Sequence, residues 1–291
     1  MLRGTSLGRI LAVAGLTFRE AMRRRIVLAA VLMAAAFLAV YGFGLHVGQA
    51  SIWSQSGDAR SLGQLMQNAI GAQLLYVGLV PTSFLIALTA VFASAGTIST
   101  ELDSGVIYDV LSLPIRRAEL VLGKALGLTA MVATLSLLLN GSVIALARWQ
   151  VGTTLLPSWP AALAVLVLEP LPLLALAVLG STRLPTLANG VLGVAAYGLA
   201  FIGGLIESLG SLFGNTTMGN IGIISSLIMP LDALHRLALS LLMPSGLLIQ
   251  QGGVPGASGS SLPSNAMVVY AVVYVAVMLL LAVRAFGRRD L

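Results

Sequence analysis

The sequence predicts an all-α protein that crosses a membrane six times. Of its 291 residues 58% are hydrophobic and only 9% are charged, whereas about 25% are charged in an average soluble domain. Mean hydropathy is +0.99. Apolar runs near the length of a bilayer-crossing helix recur throughout, each able to span roughly 30 Å at about 1.5 Å per residue. No long stretch remains for a soluble domain, so residues 1–291 are expected to form one transmembrane domain.

The first element, over residues 5–25, is expected to be an interfacial helix. Leu7, Ile10, Leu11, Ala14, Phe18 and Met22 share one side of a helical wheel, and Arg9, Arg19, Glu20 and Arg23 lie opposite. A secretory leader has its basic residues before the apolar run. Here Arg23, Arg24 and Arg25 follow it, so the segment is expected to be retained.

Six spans follow, at residues 26–46, 73–97, 125–147, 160–180, 187–206 and 266–285. An even number puts both termini on one side. That side carries Arg3, Arg9, Arg19 and Arg23 to Arg25, then Arg116, Arg117, Lys124, Arg183, Arg284, Arg288 and Arg289. Only Arg60, Arg148 and Arg236 lie opposite, which makes the termini cytoplasmic. Trp53, Trp149 and Trp159 all fall in the outer loops, where indole rings favour the interface. The excess of arginine over the single lysine hints at a GC-rich genome and a bacterial inner membrane. Residues 207–265 hold apolar pieces at 221–229 and 237–249 that are too short to cross. They read as an outer re-entrant or loop region, with a seventh or eighth crossing as the competing counts.

The most informative stretch is the charged segment 99–124 between spans two and three. Val106, Ile107, Val110 and Leu111 recur at helical spacing, with Asp103 and Asp109 off that face. Pro114 suits the first turn of a further helix, where its missing N–H costs nothing. Two short helices held by long spans would form a lever under a docked partner. The plainer alternative is a solvated loop that only orients the chain.

The pattern Glu101, Gly105, Leu111, Pro114, Arg117, Glu119, Gly123, Lys124 closely resembles the first cytoplasmic loop of permease subunits of ABC exporters of the type-two family. The run Leu16-Thr17-Phe18-Arg19-Glu20 resembles that family's interfacial helix. Leu168-Glu169 and Ser181-Thr182-Arg183-Leu184-Pro185 are similar to the branch that includes the nitrous-oxide-reductase maturation permease. The resemblance implies a coupling helix docked on a cytoplasmic ABC ATPase, two permease copies (a homodimer or close paralogues), and rearrangement of spans two and five at the dimer interface. ATPase docking would then fall to Glu101, Gly105, Val106, Ile107, Tyr108, Asp109, Val110, Leu111, Pro114 and Arg117.

The chain itself is not the nucleotidase. A P-loop needs a Gly, four residues, then Gly-Lys and a hydroxyl residue, but around Gly123-Lys124 the first glycine is replaced by Ala118 and the hydroxyl by Ala125. ATP and Mg are therefore expected on the partner, with no cofactor or metal bound here and no nucleic acid. With no cysteine there is no disulfide, thiolate site or thiol nucleophile. His46 and His235, both expected at the outer face, make a weak metal pair without supporting ligands. Gly4-Thr5-Ser6-Leu7-Gly8 fits a nucleophile pattern by coincidence, since no strand precedes it.

Glu169 is the sole carboxylate expected near mid-membrane, beside Pro170 and Pro172. Either it contacts substrate or protons in a path, or it is a hydrogen-bonded residue that fixes packing around the proline break. Asn140 and Asn189 are the other path candidates, with local packing as their plainer role. The leading function is thus the permease subunit of an ABC exporter. The alternative is an ion-coupled secondary transporter using Glu169. A membrane-embedded hydrolase ranks third, for want of a His or Cys in the expected spans.

Overall fold

A computed structural model of the chain describes residues 6–53, 60–105, 116–151, 158–242 and 264–289. Those residues are almost all helical and include no strand. Six helical segments are long and apolar enough to cross a membrane: Arg25–Val47, Ile70–Asp103, Arg117–Gln150, Trp159–Ser181, Thr186–Ser211 and Ala266–Gly287. Each contains or largely overlaps one of the six expected spans. The third starts earlier than expected because Arg116, Arg117 and Glu119 form the helix's own first turn: the Arg116 N–H donates to Glu119 Oε2 at 3.0 Å.

The helices are α1 (Ser6–Arg23), α2 (Arg25–Trp53), α3 (Arg60–Ala95), α4 (Ser99–Asp103) and α5 (Arg117–Leu146), which ends in a π turn over Ala147–Val151. Then come α6 (Trp159–Leu168), α7 (Leu171–Ser181), α8 (Thr186–Phe213), α9 (Thr216–Ile228), α10 (Leu231–Leu242) and α11 (Ala266–Gly287). The interior is built around α3, α5 and the α6–α7 span, with Leu79, Ala90, Val91, Met131, Val132, Leu166 and Leu173 fully buried. In contrast Leu32, Val40, Phe43, Leu138, Leu187, Val191 and Val269 stand exposed, the outward apolar surface a lipid-facing bundle requires.

Helix α1 packs along the start of α5. Gly123 and Gly127 permit the approach: a Cβ on Gly123 would meet Val13, and one on Gly127 would meet the backbone of Ala14 and Phe18. The wheel of α1 needs one correction. Arg9, read as facing away from the apolar side, reaches Glu119 at 3.1 Å, while Leu7, Leu11 and Leu16 remain exposed.

The fourth span breaks where the prolines stand. Pro170 has no N–H to give the carbonyl of Leu166, and Ser136 Oγ from α5 donates to that carbonyl instead, at 3.0 Å. After α8, Gly214 adopts φ 64° and ends the helix, and Asn215 Oδ1 caps α9 by accepting from the N–H groups of Thr217 and Met218. Helix α9 then runs back along α8, since Gly210, Glu207 and Gly203 face Gly219, Gly222 and Ser225 in that order. At Met229 and Pro230 the chain turns by 100° into α10. Helix α10 lies along α6, where Ser158 Oγ donates to the carbonyl of Leu241 at 2.6 Å.

Candidate functional site

Two polar constellations stand out in this apolar bundle, one at the end carrying the 99–124 segment and one deep between the spans. At the first, Val106, Ile107, Tyr108, Asp109, Val110, Leu111 and Pro114 lie outside the described residues, but both roots of the segment are described. Helix α4 stops at Gly105, whose φ of 75° favours glycine and whose N–H bonds back to Leu102 O.

Lys124, buried at the other root, pairs with Glu101 and donates to Thr97 O at 2.9 Å. Arg117 donates to Arg289 O at 2.7 Å, and Arg289 in turn donates to Thr182 O at 2.6 Å. Asn189 Nδ2 donates to Ala95 O and to Ala177 O, at 2.9 and 2.7 Å, and Ser99 meets Thr186 at 3.0 Å. Glu101, Lys124, Arg117 and Asn189 thus belong to one collar that fastens the foot of span two to spans three, four, five and six. Asn189 serves there as a clamp and does not line the inner cavity.

The second constellation centres on Glu169, ten residues past Trp159 and twelve before Ser181 in its span, so about 15 and 18 Å from those ends. Its side chain is buried and accepts from Ser83 Oγ at 3.1 Å; His235 Nδ1 lies 3.3 Å from Oε1. Ser83 and His235 Nδ1 are themselves 3.3 Å apart, which closes a triangle of α3, the α6–α7 break and α10. Next to His235 on α10, Arg236 Nη2 donates to Glu207 Oε2 of α8 at 2.6 Å and its Nε lies 2.9 Å from Asp232 Oδ2.

Two expectations are corrected here. His235 is not at the outer face but buried, because α10 lies against α6 and turns its polar side inward. Nor is Glu169 the sole deep carboxylate, since Asp232 and Glu207 join it. The first correction carries Arg236 with it: expected among the outer-loop charges, it is buried. The spacing of Asp232, His235 and Arg236, on one side of a helix started by Pro230, was the signal available in the sequence.

A cavity of about 50 Å³ opens among these groups, with Ser83, Glu169, Asp232, His235 and Arg236 on its polar wall. Tyr76, Tyr197 and Phe201 stand on the other. That volume holds a few waters or the head of a larger molecule. Asn140 is not among its walls: it is fully buried in a packing chain in which Thr82 Oγ1 lies 3.0 Å from its Oδ1 and its Nδ2 donates to Ser136 Oγ. Among the described residues no group of three or more His, Asp or Glu could hold a metal ion.

A six-span helical bundle with a charged collar at one end and a polar cavity at mid-depth defines a multi-pass membrane protein of the permease class. Residues 11–291 match the family model described as ABC-2 family transporter protein. The chain belongs to that family and is a membrane permease of an ABC transporter. A search of curated proteins found no match.

Proposed function

We propose that this permease is an exporter subunit driven by a separate cytoplasmic ABC ATPase that grips residues 99–124, with two permease copies per transporter. The observation that carries the reading is the tie between Glu101 and Lys124, which locks the two roots of that segment together. A push on the segment would therefore displace spans two and three as one body. The collar through Ser99, Asn189 and Arg117 would pass it to spans five and six. Family membership supports an ATPase partner, and the near-match at Gly123-Lys124 lacks the residues to bind nucleotide itself.

In this reading ATP and Mg sit on the partner, both termini face the cytoplasm across an inner membrane, and α1 lies in the interface with Leu7 and Leu11 in lipid. Helices α9 and α10 form a dip from the outer side. That is supported by the pairing of Leu241 with Ser158, which returns the end of α10 to the side where α8 ends. The cavity at Glu169 is the substrate path, between spans two and five. Residues 168–185 favour the maturation-permease branch.

The test is reconstitution with and without the ATPase. ATP-driven movement that is lost when Val110 and Leu111 are both changed to Glu supports the proposal. Full-rate transport without an ATPase overturns it. The pairing of Glu169 with His235 favours one second reading, an ion-coupled carrier; it requires transport that collapses with an uncoupler and ignores ATP.

A further inference from the structure

We infer that the cavity at Glu169 receives the ammonium head of an amphiphilic amine, which names a substrate class for the path proposed above and rests on that proposal. The charge balance of the walls is the first ground. Two carboxylates on these walls, Glu169 and Asp232, face one guanidinium, and Arg236 is already engaged by Asp232 and by Glu207, which lies outside the lining. Among the described residues Glu169 has only Ser83 and His235, so with a neutral imidazole the walls are short of positive charge. In a low-dielectric interior such an excess is costly, and a bound cation would relieve it.

The second ground is an unpartnered buried acceptor. His235 is 8% exposed, lines the cavity, and has no hydrogen-bond partner at Nε2. Its Nδ1 lies within 3.4 Å of Ser83 Oγ and both Glu169 oxygens, so in the neutral ring the proton belongs on Nδ1. That leaves a lone pair at Nε2, an acceptor for an ammonium N–H. Asp232 Oδ2 likewise lacks a hydrogen-bond donor of good geometry. Arg236 Nη1 is an unpartnered donor on the same wall, but it stands on the guanidinium held by the two acids.

The third ground is the opposite wall. Tyr197 and Phe201 on that wall stack with centroids 6.5 Å apart, Phe84 stands 5.4 Å from Tyr197 just outside the lining, and the faces of such rings attract cations. Phe84 and Phe201 are also part-exposed on the outer surface of the bundle. A head drawn into a space of about 50 Å³ can thus leave its apolar tail along α3 and α8.

The decisive experiment compares three fluorescent probes of one shape, an octyl chain bearing dansyl sulfonamide at one end and a free ammonium, hydroxyl or carboxylate at the other, binding to the full-length permease in nanodiscs. At least tenfold tighter binding of the amine is expected. Glu169→Gln and Tyr197→Leu should each weaken the amine severalfold more than the alcohol and so remove most of that preference. Equal affinity for all three probes, or preference for the carboxylate, overturns the inference even if Glu169→Gln does not fold, because the wild-type comparison stands alone. Adding the ATPase separates the two proposals. ATP-driven transport of an alcohol with no amine preference sinks the site and keeps the exporter; amine-selective binding without ATP-driven transport does the reverse.

Discussion

The Glu207–Arg236–Asp232 triad offers the sharpest quantitative prediction. Glu207 and Arg236 are 3% and 7% exposed at the side chain and 2.6 Å apart, with Asp232, 17% exposed, 2.9 Å from the same guanidinium. Glu207→Leu leaves Arg236 paired with Asp232, so the loss should sit near the low end of the roughly 3–5 kcal/mol for breaking a buried pair. Arg236→Met is worse, because it removes the guanidinium that both carboxylates face. Each can escape by taking a proton, which at pH 7 costs about 3–4 kcal/mol for an ordinary carboxylate at about 1.36 kcal/mol per pH unit. The triple change Glu207→Leu, Asp232→Asn, Arg236→Met removes every charge and should recover most of the loss. Equilibrium unfolding in mixed detergent micelles would rank the variants. The deficit of Arg236→Met should also shrink as the pH is lowered from 7 towards 5.5, since acid supplies the missing protons. If Arg236→Met proves no worse than Glu207→Leu, or the triple variant is as unstable as Arg236→Met, the triad is not the electrostatic unit described.

Other perturbations test other joints. Gly127→Leu should lever α1 off α5, because its Cβ would meet the Ala14 and Phe18 backbone; cross-linking between cysteines placed at Arg9 and Glu119, whose side chains meet at 3.1 Å, should fall sharply, and an unchanged yield refutes that packing. Ser136→Ala leaves the Leu166 carbonyl without its donor and should cost about 1–3 kcal/mol in the same unfolding assay; no measurable change would mean another group satisfies the carbonyl. A cysteine at Ser104 should react only with a thiol reagent supplied from the cytoplasmic side, and one at Trp159 only from outside, the reverse pattern contradicting the orientation.

The six spans were legible because a bilayer imposes one coarse rule, an unbroken apolar run of sufficient length, and the sequence meets it six times. Glu169 was legible for the same reason inverted: a charge beside Pro170 and Pro172 breaks the pattern. His235 was not. Its neighbours Leu234, Leu237, Ala238 and Leu239 give α10 an amphipathic pattern that suits a helix at the water boundary equally well. What decides between the two is tertiary: Glu207, Ser83 and Glu169, distant in sequence, supply the partners that make burial tolerable. The same applies to Asn189 and Lys124, whose roles as clamps follow from carbonyls at Ala95, Ala177 and Thr97 that local spacing cannot point to.

Helix α8 joins the two constellations. Its foot is held by Ser99 on Thr186 and by Asn189 on Ala95, and Glu207, twenty-one residues above Thr186, holds Arg236. That separation is about 32 Å along a helix without an internal proline. A rod of this kind transmits tilt more readily than it absorbs it. Displacement of the collar would therefore strain the Glu207–Arg236 contact and, through α10, the position of His235 over Glu169. In the proposed transporter the acids at the cavity need not be exposed to an ATPase for it to act on them. They need only share a helix with the collar, and the link is testable by whether Glu207→Leu uncouples ATP hydrolysis from transport while leaving hydrolysis intact.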